Sequence, residues 1–406
     1  MSPVPFLRRV MVKNYKSIAA CDVELGRLTF LVGPNGSGKS NFLDTLRFVA
    51  DALRTTLDHA LRDRGGINEV RRRSSGHPTH FGMRLEFVLP DGAPGHYAFR
   101  IGARPKAGFE VQTEECVLEG PENVSFRVQS GIRTYGTGAA RGQMNPLPPV
   151  PADRLYLVAA SGEAEFRPVY DALSHMAFYN LNPDRMRELQ TSDSGEILAR
   201  DGSNATSVFR VLAEVRPEQR ARIEEYLSRV VPGVRGVEAR VLGPRETLEF
   251  RQEVAGAKNP WHFLAANMSD GTLRALGILL GLFQYGNGKR ITLVGMEEPE
   301  IALHPAAAGI LLDALREASR DSQIVVTSHS PDLMDIVDLK TESILAVHKE
   351  AGDTVIGPID QASVTVLRQG LYTPGDLLRL GQLEPDVRLF GRSPDQLELF
   401  DRVPAS

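Results

Sequence analysis

Eight consecutive residues, Gly33-Pro34-Asn35-Gly36-Ser37-Gly38-Lys39-Ser40, follow the spacing Gly-x-x-x-x-Gly-Lys-Ser. Glycines at both ends let backbone N–H groups turn inward, and such a loop wraps anionic oxygens. The apolar run Leu28-Thr29-Phe30-Leu31-Val32 precedes it. A helical pattern from Asn41 follows, with Phe42, Leu46, Val49 and Leu53 on one face. This strand, loop and helix context separates a phosphate cradle from a chance Gly-rich turn. The helix N-terminus adds its own partial positive charge. Lys39 is expected to bridge the β- and γ-phosphates of ATP, and Ser40 to hold Mg2+. Gly33, Pro34, Asn35, Gly36, Ser37, Gly38 and Asn41 complete the expected cradle.

A second group lies far downstream. The apolar run from Ile291 to Met296 delivers Glu297, Glu298 and Glu300 to its C-terminal end. In open α/β sheets that is the end at which ligands bind. Glu297 is expected to hold Mg2+, directly or through water, and Glu298 to take a proton from the attacking water. The metal-side residue of this Walker B pattern is ordinarily Asp; the extra methylene of Glu297 favours contact through water. Upstream, Ser269-Asp270-Gly271-Thr272 opens the apolar helix that runs to Phe283. A hydroxyl and free N–H groups at a helix start form an anion site. The same four residues, taken alone, are an ordinary N-cap, and Asp270 is expected to cap and point away. A further strand, Gln323–Thr327, leads into Ser328-His329-Ser330-Pro331. An imidazole N–H at that strand end can sense a phosphate.

Taken in order, these motifs resemble the ABC-type ATPases of the SMC, RecF and OLD group. The wording FYNLNPD, RDGSN, SDGTLRALGILL, EEPE-ALHP and TSHSPDL is similar to bacterial AAA family ATPases of RecF-like type. The resemblance implies an α/β fold, an ABC-type P-loop NTPase head with a mixed sheet plus an inserted α+β region. It implies that Ser269 and Gly271 reach across an ATP-dependent homodimer to the γ-phosphate on the partner's P-loop. It makes His329 the switch histidine and puts His304 in the D-loop at the dimer seam. For the Q-loop glutamine, Gln112, Gln143 and Gln190 are the candidates. The expected division is 1–119 for the P-loop lobe, 120–234 for an insertion, 235–345 for the signature and Walker B lobe, and 346–406 for a C-terminal extension.

The rest of the sequence bounds the function. A net charge of -4 and a pI near 6.2 exclude a protein coated in positive charge, though not a local basic groove. Cys21 and Cys116 form no Cys-x-x-Cys pair, so neither zinc nor a disulfide framework is indicated. The apolar stretch from Leu273 to Phe283 is too short to span a bilayer, and the N-terminus has no apolar leader. A cytoplasmic protein without a membrane partner is expected. Residues 4–32 and 81–119 read as strands, 39–61 as one helix, 163–230 as mostly helical and 235–254 as strands. From 269 onward helix and strand alternate, the signature of a parallel sheet. The tail beyond residue 372 reads as loosely structured.

Two weaker signals concern partners. Arg62, Arg64, Arg71, Arg72 and Arg73 could track the phosphate backbone of DNA, or form a solvated loop. Gln396-Leu397-Glu398-Leu399-Phe400 is similar to the peptide with which bacterial replication and repair proteins dock on the sliding clamp. The alternative is a final turn packed on the head. Three functions follow for comparison: an ATP-driven dimerising switch in DNA metabolism or repair, an ATP-holding regulatory subunit of a separate effector nuclease in phage defence, and an OLD-type nuclease. The last is disfavoured, because the stretch after TSHSPDL is too short for a Toprim domain of about 100 residues.

Overall fold

The computed structural model describes residues 5–74, 78–106, 108–120, 123–137, 150–284, 291–386 and 396–401. The chain forms two compact units. One comprises residues 1–176, 340–372 and 380–406, the other residues 177–339 and 373–379.

The first unit is built on a seven-stranded antiparallel sheet. Its spatial order is Ile18–Glu24, Leu7–Tyr15, His80–Val88, Pro94–Arg104, Gly108–Leu118, Val124–Gln129 and Ile132–Thr137. The helix Lys39–Arg54 buries Phe42, Leu46, Phe48, Val49 and Leu53. Phe48 meets Phe81 edge-on at 5.5 Å and Tyr15 at 6.0 Å, and Tyr15 meets Phe81 at 5.6 Å. Such aromatic pairs add to the burial of the rings themselves. The wholly buried strand Leu28–Val32 pairs in parallel with Ser343–Glu350, which pairs antiparallel with Asp353–Pro358.

In the second unit Ala177–Tyr179, Leu293–Glu297 and Gln323–Ser328 run parallel, with Leu293–Glu297 between the other two. The helix Asp270–Phe283 is buried along almost its whole length. Its Phe283 stacks on Tyr226 of the helix Pro217–Val230 at 5.7 Å. A smaller antiparallel sheet joins Val234–Leu242 to Arg245–Gln252, with Gln190–Thr191 and Trp261–Leu264 on the other edge of the latter.

Three sequence expectations change, and the mostly helical span 163–230 is refined. The helix expected over 39–61 is two, Lys39–Arg54 and Leu57–Arg62, because Thr56 turns extended and caps the second through His59 N–H at 3.1 Å. The span 163–230 contains the strands Ala177–Tyr179 and Gln190–Thr191, too short to show periodicity. The tail is ordered where it is described: Pro374–Arg379 is helical, and Leu397 and Leu399 are buried against Met11. Phe400 lies under the guanidinium groups of Arg100 and Arg127, at 5.3 and 5.6 Å. The five arginines do not form one basic stripe. Arg64 is buried on Asp44 and Asp51, Arg72 forms a two-pronged pair with Asp353, Arg71 binds Pro78 O, and Arg62 and Arg73 pair with Asp58 and Glu69. Among the described residues no helix is long and apolar enough to cross a membrane.

Asp44, one turn into the first helix, ties these pieces together. It accepts from Tyr15 Oη at 2.8 Å and pairs with Lys16 Nζ at 2.6 Å, Arg47 at 2.7 Å and Arg64 at 3.0 Å. Burial alone would raise its pKa, but Arg64, then Arg47 and Lys16, hold the carboxyl far below the usual carboxylate range. A depressed native pKa gives stability that is present above the unfolded value of about 3.9 and is lost as pH falls. Urea midpoints of the wild type should therefore drop between about pH 4 and pH 2 more steeply than those of Asp44→Asn. Asp44→Ala, which strands buried Arg64, should cost about 3–5 kcal/mol near neutral pH.

Candidate functional site

The Gly33–Ser40 loop is shaped by close backbone approaches. A Cβ on Gly33 would come within 2.0 Å of Val347 O, and one on Gly38, at φ +109°, within 2.0 Å of Thr354 Oγ1. Gly36, at φ +75°, faces open space. Thr354 Oγ1 donates to Ser37 O at 2.8 Å and lies 2.7 Å from Ser17 Oγ, which accepts from Asn41 Nδ2 at 2.6 Å. The loop thus rests on the strand Asp353–Pro358 and on the Lys16–Ser17 turn. Sequence reasoning placed neither there, because neither resembles a nucleotide motif. Lys39 Nζ donates to Gly33 O at 2.8 Å and Pro34 O at 3.0 Å, at the rim of the loop. Ser37 Oγ is buried without a hydrogen-bond partner. Lys39 and the two-ended glycine geometry fit a triphosphate chain, and the unpaired Ser37 hydroxyl has an acceptor or donor to gain.

The acidic strand end and its neighbours belong to the second unit. Glu298 sits at φ +45°, uncommon for a non-glycine residue, and its N–H donates to Thr327 O at 3.0 Å and Thr327 Oγ1 at 3.2 Å. Its Oε1 lies 3.0 Å from His329 Nδ1, a close approach without an aligned hydrogen bond. Glu300 accepts from Ser328 Oγ at 2.6 Å and His329 N–H at 3.3 Å, which fixes the histidine turn. Burial raises the Glu300 carboxyl above its ordinary range, and its Oε2 has no partner. Glu297 pairs with Arg200 at 2.7 Å.

The helix that begins after Ser269 is locked to this strand end. Arg274 donates to Leu181 O at 3.2 Å and Glu298 O at 3.1 Å, and its guanidinium pKa is lowered by burial. A lone cation in an otherwise apolar helix was the signal for this role, since buried charges need partners. The N-cap is Ser269, which accepts from Thr272 N–H at 3.3 Å. Asp270 does not cap; it pairs with Arg187, which also donates to Met268 O at 3.3 Å. Gly271 allows close approach to the next loop: a Cβ there would lie 2.6 Å from Ala302 O. His304 Nδ1 accepts from Ala306 N–H at 3.2 Å and starts a short 3-10 turn.

Residues 28–109 and 146–335 match the family described as "AAA domain, putative AbiEii toxin, Type IV TA system". The chain belongs to that family. It is 25% identical to the OLD nuclease of Thermus scotoductus over 371 residues, 86% of this chain but 63% of that protein. It therefore spans less than two thirds of that relative's length. Its fold is the ABC-type ATPase head of SMC proteins. An Smc head of Pyrococcus furiosus, bound to the C-terminal domain of ScpA, aligns with TM-score 0.56 and 12% identity over 90% of this chain and 99% of that one. An SmcHead bound to the C-winged helix domain of ScpA aligns with TM-score 0.53 and 14% identity, covering 89% and 99%.

Of the glutamines considered, Gln190 is structural in this AAA-domain chain. Its side chain is used on Arg185 O, Gly202 O and Thr206 N–H. Gln112 packs beside Gly102, and Gln143 lies outside the described residues. Thr354→Val keeps the β-branched shape but removes the hydroxyl under the loop. ATP affinity by calorimetry should fall roughly 3- to 10-fold, and losing the buried bonds to Ser37 O and Ser17 Oγ should cost about 1–3 kcal/mol of stability.

Proposed function

We propose that this protein is an ATP-driven switch that binds ATP with Mg2+, hydrolyses it and dimerises around it. The observation that carries the reading is the Gly33–Ser40 loop, where Gly33 against Val347 O and Gly38 against Thr354 leave no room for side chains in a backbone cradle. Ser37 Oγ in that loop and Glu300 Oε2 at the acidic strand end are buried without hydrogen-bond partners. Such groups are uncommon and ask for a partner.

In this reading the Gly33–Ser40 N–H groups and Lys39 bind the phosphates. Ser40 and Glu297 are the residues that would hold Mg2+, which when bound neutralises charge on the phosphate oxygens. Glu298 takes the proton of the attacking water, its carboxylate held beside His329 and its backbone on Thr327. His329 reports the γ-phosphate to the turn that Glu300 fixes. Ser269 and Gly271 of a second copy complete the site. Hydrolysis then reopens the dimer and resets a DNA-bound state. Action on DNA is the first reading of this switch. The OLD nuclease likeness supports a second reading, in which the ATP state governs a nuclease effector. Hydrolysis stimulated by DNA favours the first; slow hydrolysis indifferent to DNA favours the second.

Glu298→Gln should lower kcat roughly 100-fold or more and accumulate an ATP-dependent dimer in light scattering. Lys39→Ala should weaken ATP binding roughly 10- to 100-fold. A Glu298→Gln protein that stays monomeric with ATP would contradict the shared site.

A further inference from the structure

The Glu297–Arg200 pair assigns a role to a residue outside the P-loop, the Ser269 helix start, the acidic strand end and the histidine turn. Arg200 belongs to the Arg200-Asp201-Gly202-Ser203-Asn204 turn, and that turn is rigidly built. Asn204 Oδ1 accepts from Ala199 N–H at 2.7 Å, and its Nδ2 donates to Asp193 at 2.9 Å and Ile197 O at 3.0 Å. The carbonyl oxygens of Arg200 and Asp201 accept from Asn180 N–H and Asn182 N–H at 2.9 and 3.0 Å. Gly202, at φ +80°, leaves space against Met186 that a Cβ would fill at 2.7 Å. The backbone under Arg200 is therefore fixed, while its side chain is 46% exposed and reaches Glu297 from solvent.

Glu297 is only 19% exposed on its side chain, and its neighbours Glu298 and Glu300 are also carboxylates. Three acids at one strand end repel each other unless cations compensate. Arg274 serves the backbone carbonyls, and His329 stands beside Glu298. Arg200 is the cation on the Glu297 carboxylate itself. An ion pair with one half-exposed partner contributes little net and exchanges easily. A divalent cation at close range interacts more strongly with the same oxygens.

We infer that Arg200 is the resident counter-ion of Glu297 and that the divalent cation of the nucleotide displaces it. Guanidinium and metal compete for one carboxylate. Nucleotide without metal leaves Arg200 on Glu297; nucleotide with metal releases a guanidinium anchored on a rigid turn. The inference rests on the reading of Glu297 as a metal-holding residue. It makes Arg200 a positioning residue that sets how much metal is needed before the acidic end is committed.

The test is Mn2+ binding to protein loaded with ATPγS, followed by electron paramagnetic resonance, with ATPγS affinity in EDTA measured in parallel. Arg200→Ala should tighten Mn2+ binding about twofold to fivefold and leave metal-free ATPγS affinity unchanged. Arg200→Lys, which keeps the charge but not the fork, should fall between wild type and Arg200→Ala. In the background Glu297→Gln the effect of Arg200→Ala should vanish. Unchanged or weaker Mn2+ binding in Arg200→Ala, with Glu297→Gln still weakening it, overturns the competition and spares the metal role of Glu297. Wild-type Mn2+ binding in Glu297→Gln overturns both. Equal melting temperatures of the variants and wild type exclude misfolding as the cause.

Discussion

A chain of phosphate oxygens can be wrapped by backbone N–H groups only where side chains are kept out of the way, and that constraint organises the first unit. At Gly33 the backbone lies so near Val347 O that no Cβ fits, and at Gly38 the same holds against Thr354. The loop is therefore a surface pressed onto two strands that come more than 300 residues later. The parallel pairing of Leu28–Val32 with Ser343–Glu350 brings those strands under it. Asp44 and its four partners then fix the helix that leaves the loop. Moving any of these would shift the N–H groups of the proposed phosphate cradle.

The second unit solves the opposite problem, holding negative charge together. Glu297, Glu298 and Glu300 fall within four residues, and each is met differently. Arg200 neutralises the first, His329 and the Thr327 carbonyl and hydroxyl position the second, and the Ser328 hydroxyl binds the third. Arg274 adds a cation that bonds to main-chain oxygens, so it stiffens the strand end without occupying a carboxylate. The proposed catalytic and metal-binding roles need carboxylates that are held but not all consumed. The half-exposed pair at Glu297 and the off-axis contact at Glu298 leave two of them available.

How much of this was legible follows from distance along the chain. The P-loop, the acidic strand end, the Ser269 helix and the parallel alternation after residue 269 are all local patterns, and all lie on the elements expected of them. What was not legible is long-range or too short for periodicity. Thr354 under the P-loop, Arg200 on Glu297 and the strand Ala177–Tyr179 beside Leu293–Glu297 are set by tertiary pairing. The arginine run, for which a DNA-tracking stripe and a solvated loop were both open, is placed by the same long-range pairing. Five like charges in sequence suggest one surface, but Arg64 is drawn inward by Asp44 and Arg72 outward to Asp353, and only the fold brings those acids near.

The tail shows how a short apolar motif is decided by the nearest surface. Leu397 and Leu399 lie in the Met11 cluster, Phe400 lies under Arg100 and Arg127, and Asp401 pairs with Arg84 at 3.0 Å. The Asp401 N–H also donates to buried Glu115 at 3.2 Å, and His96 Nε2 sits 2.9 Å from the same carboxylate oxygen. Apolar, cation–π and charged contacts therefore hold the same six-residue stretch. Leu397, Leu399 and Phe400 are the side chains that a clamp pocket would take, and they cannot occupy two pockets at once. Docking elsewhere would have to lift the whole stretch and leave Glu115 to Arg127 and His96 alone. Of the two readings open in sequence, a docking peptide and a final turn packed on the head, the contacts of Leu397, Leu399 and Phe400 match the packed turn.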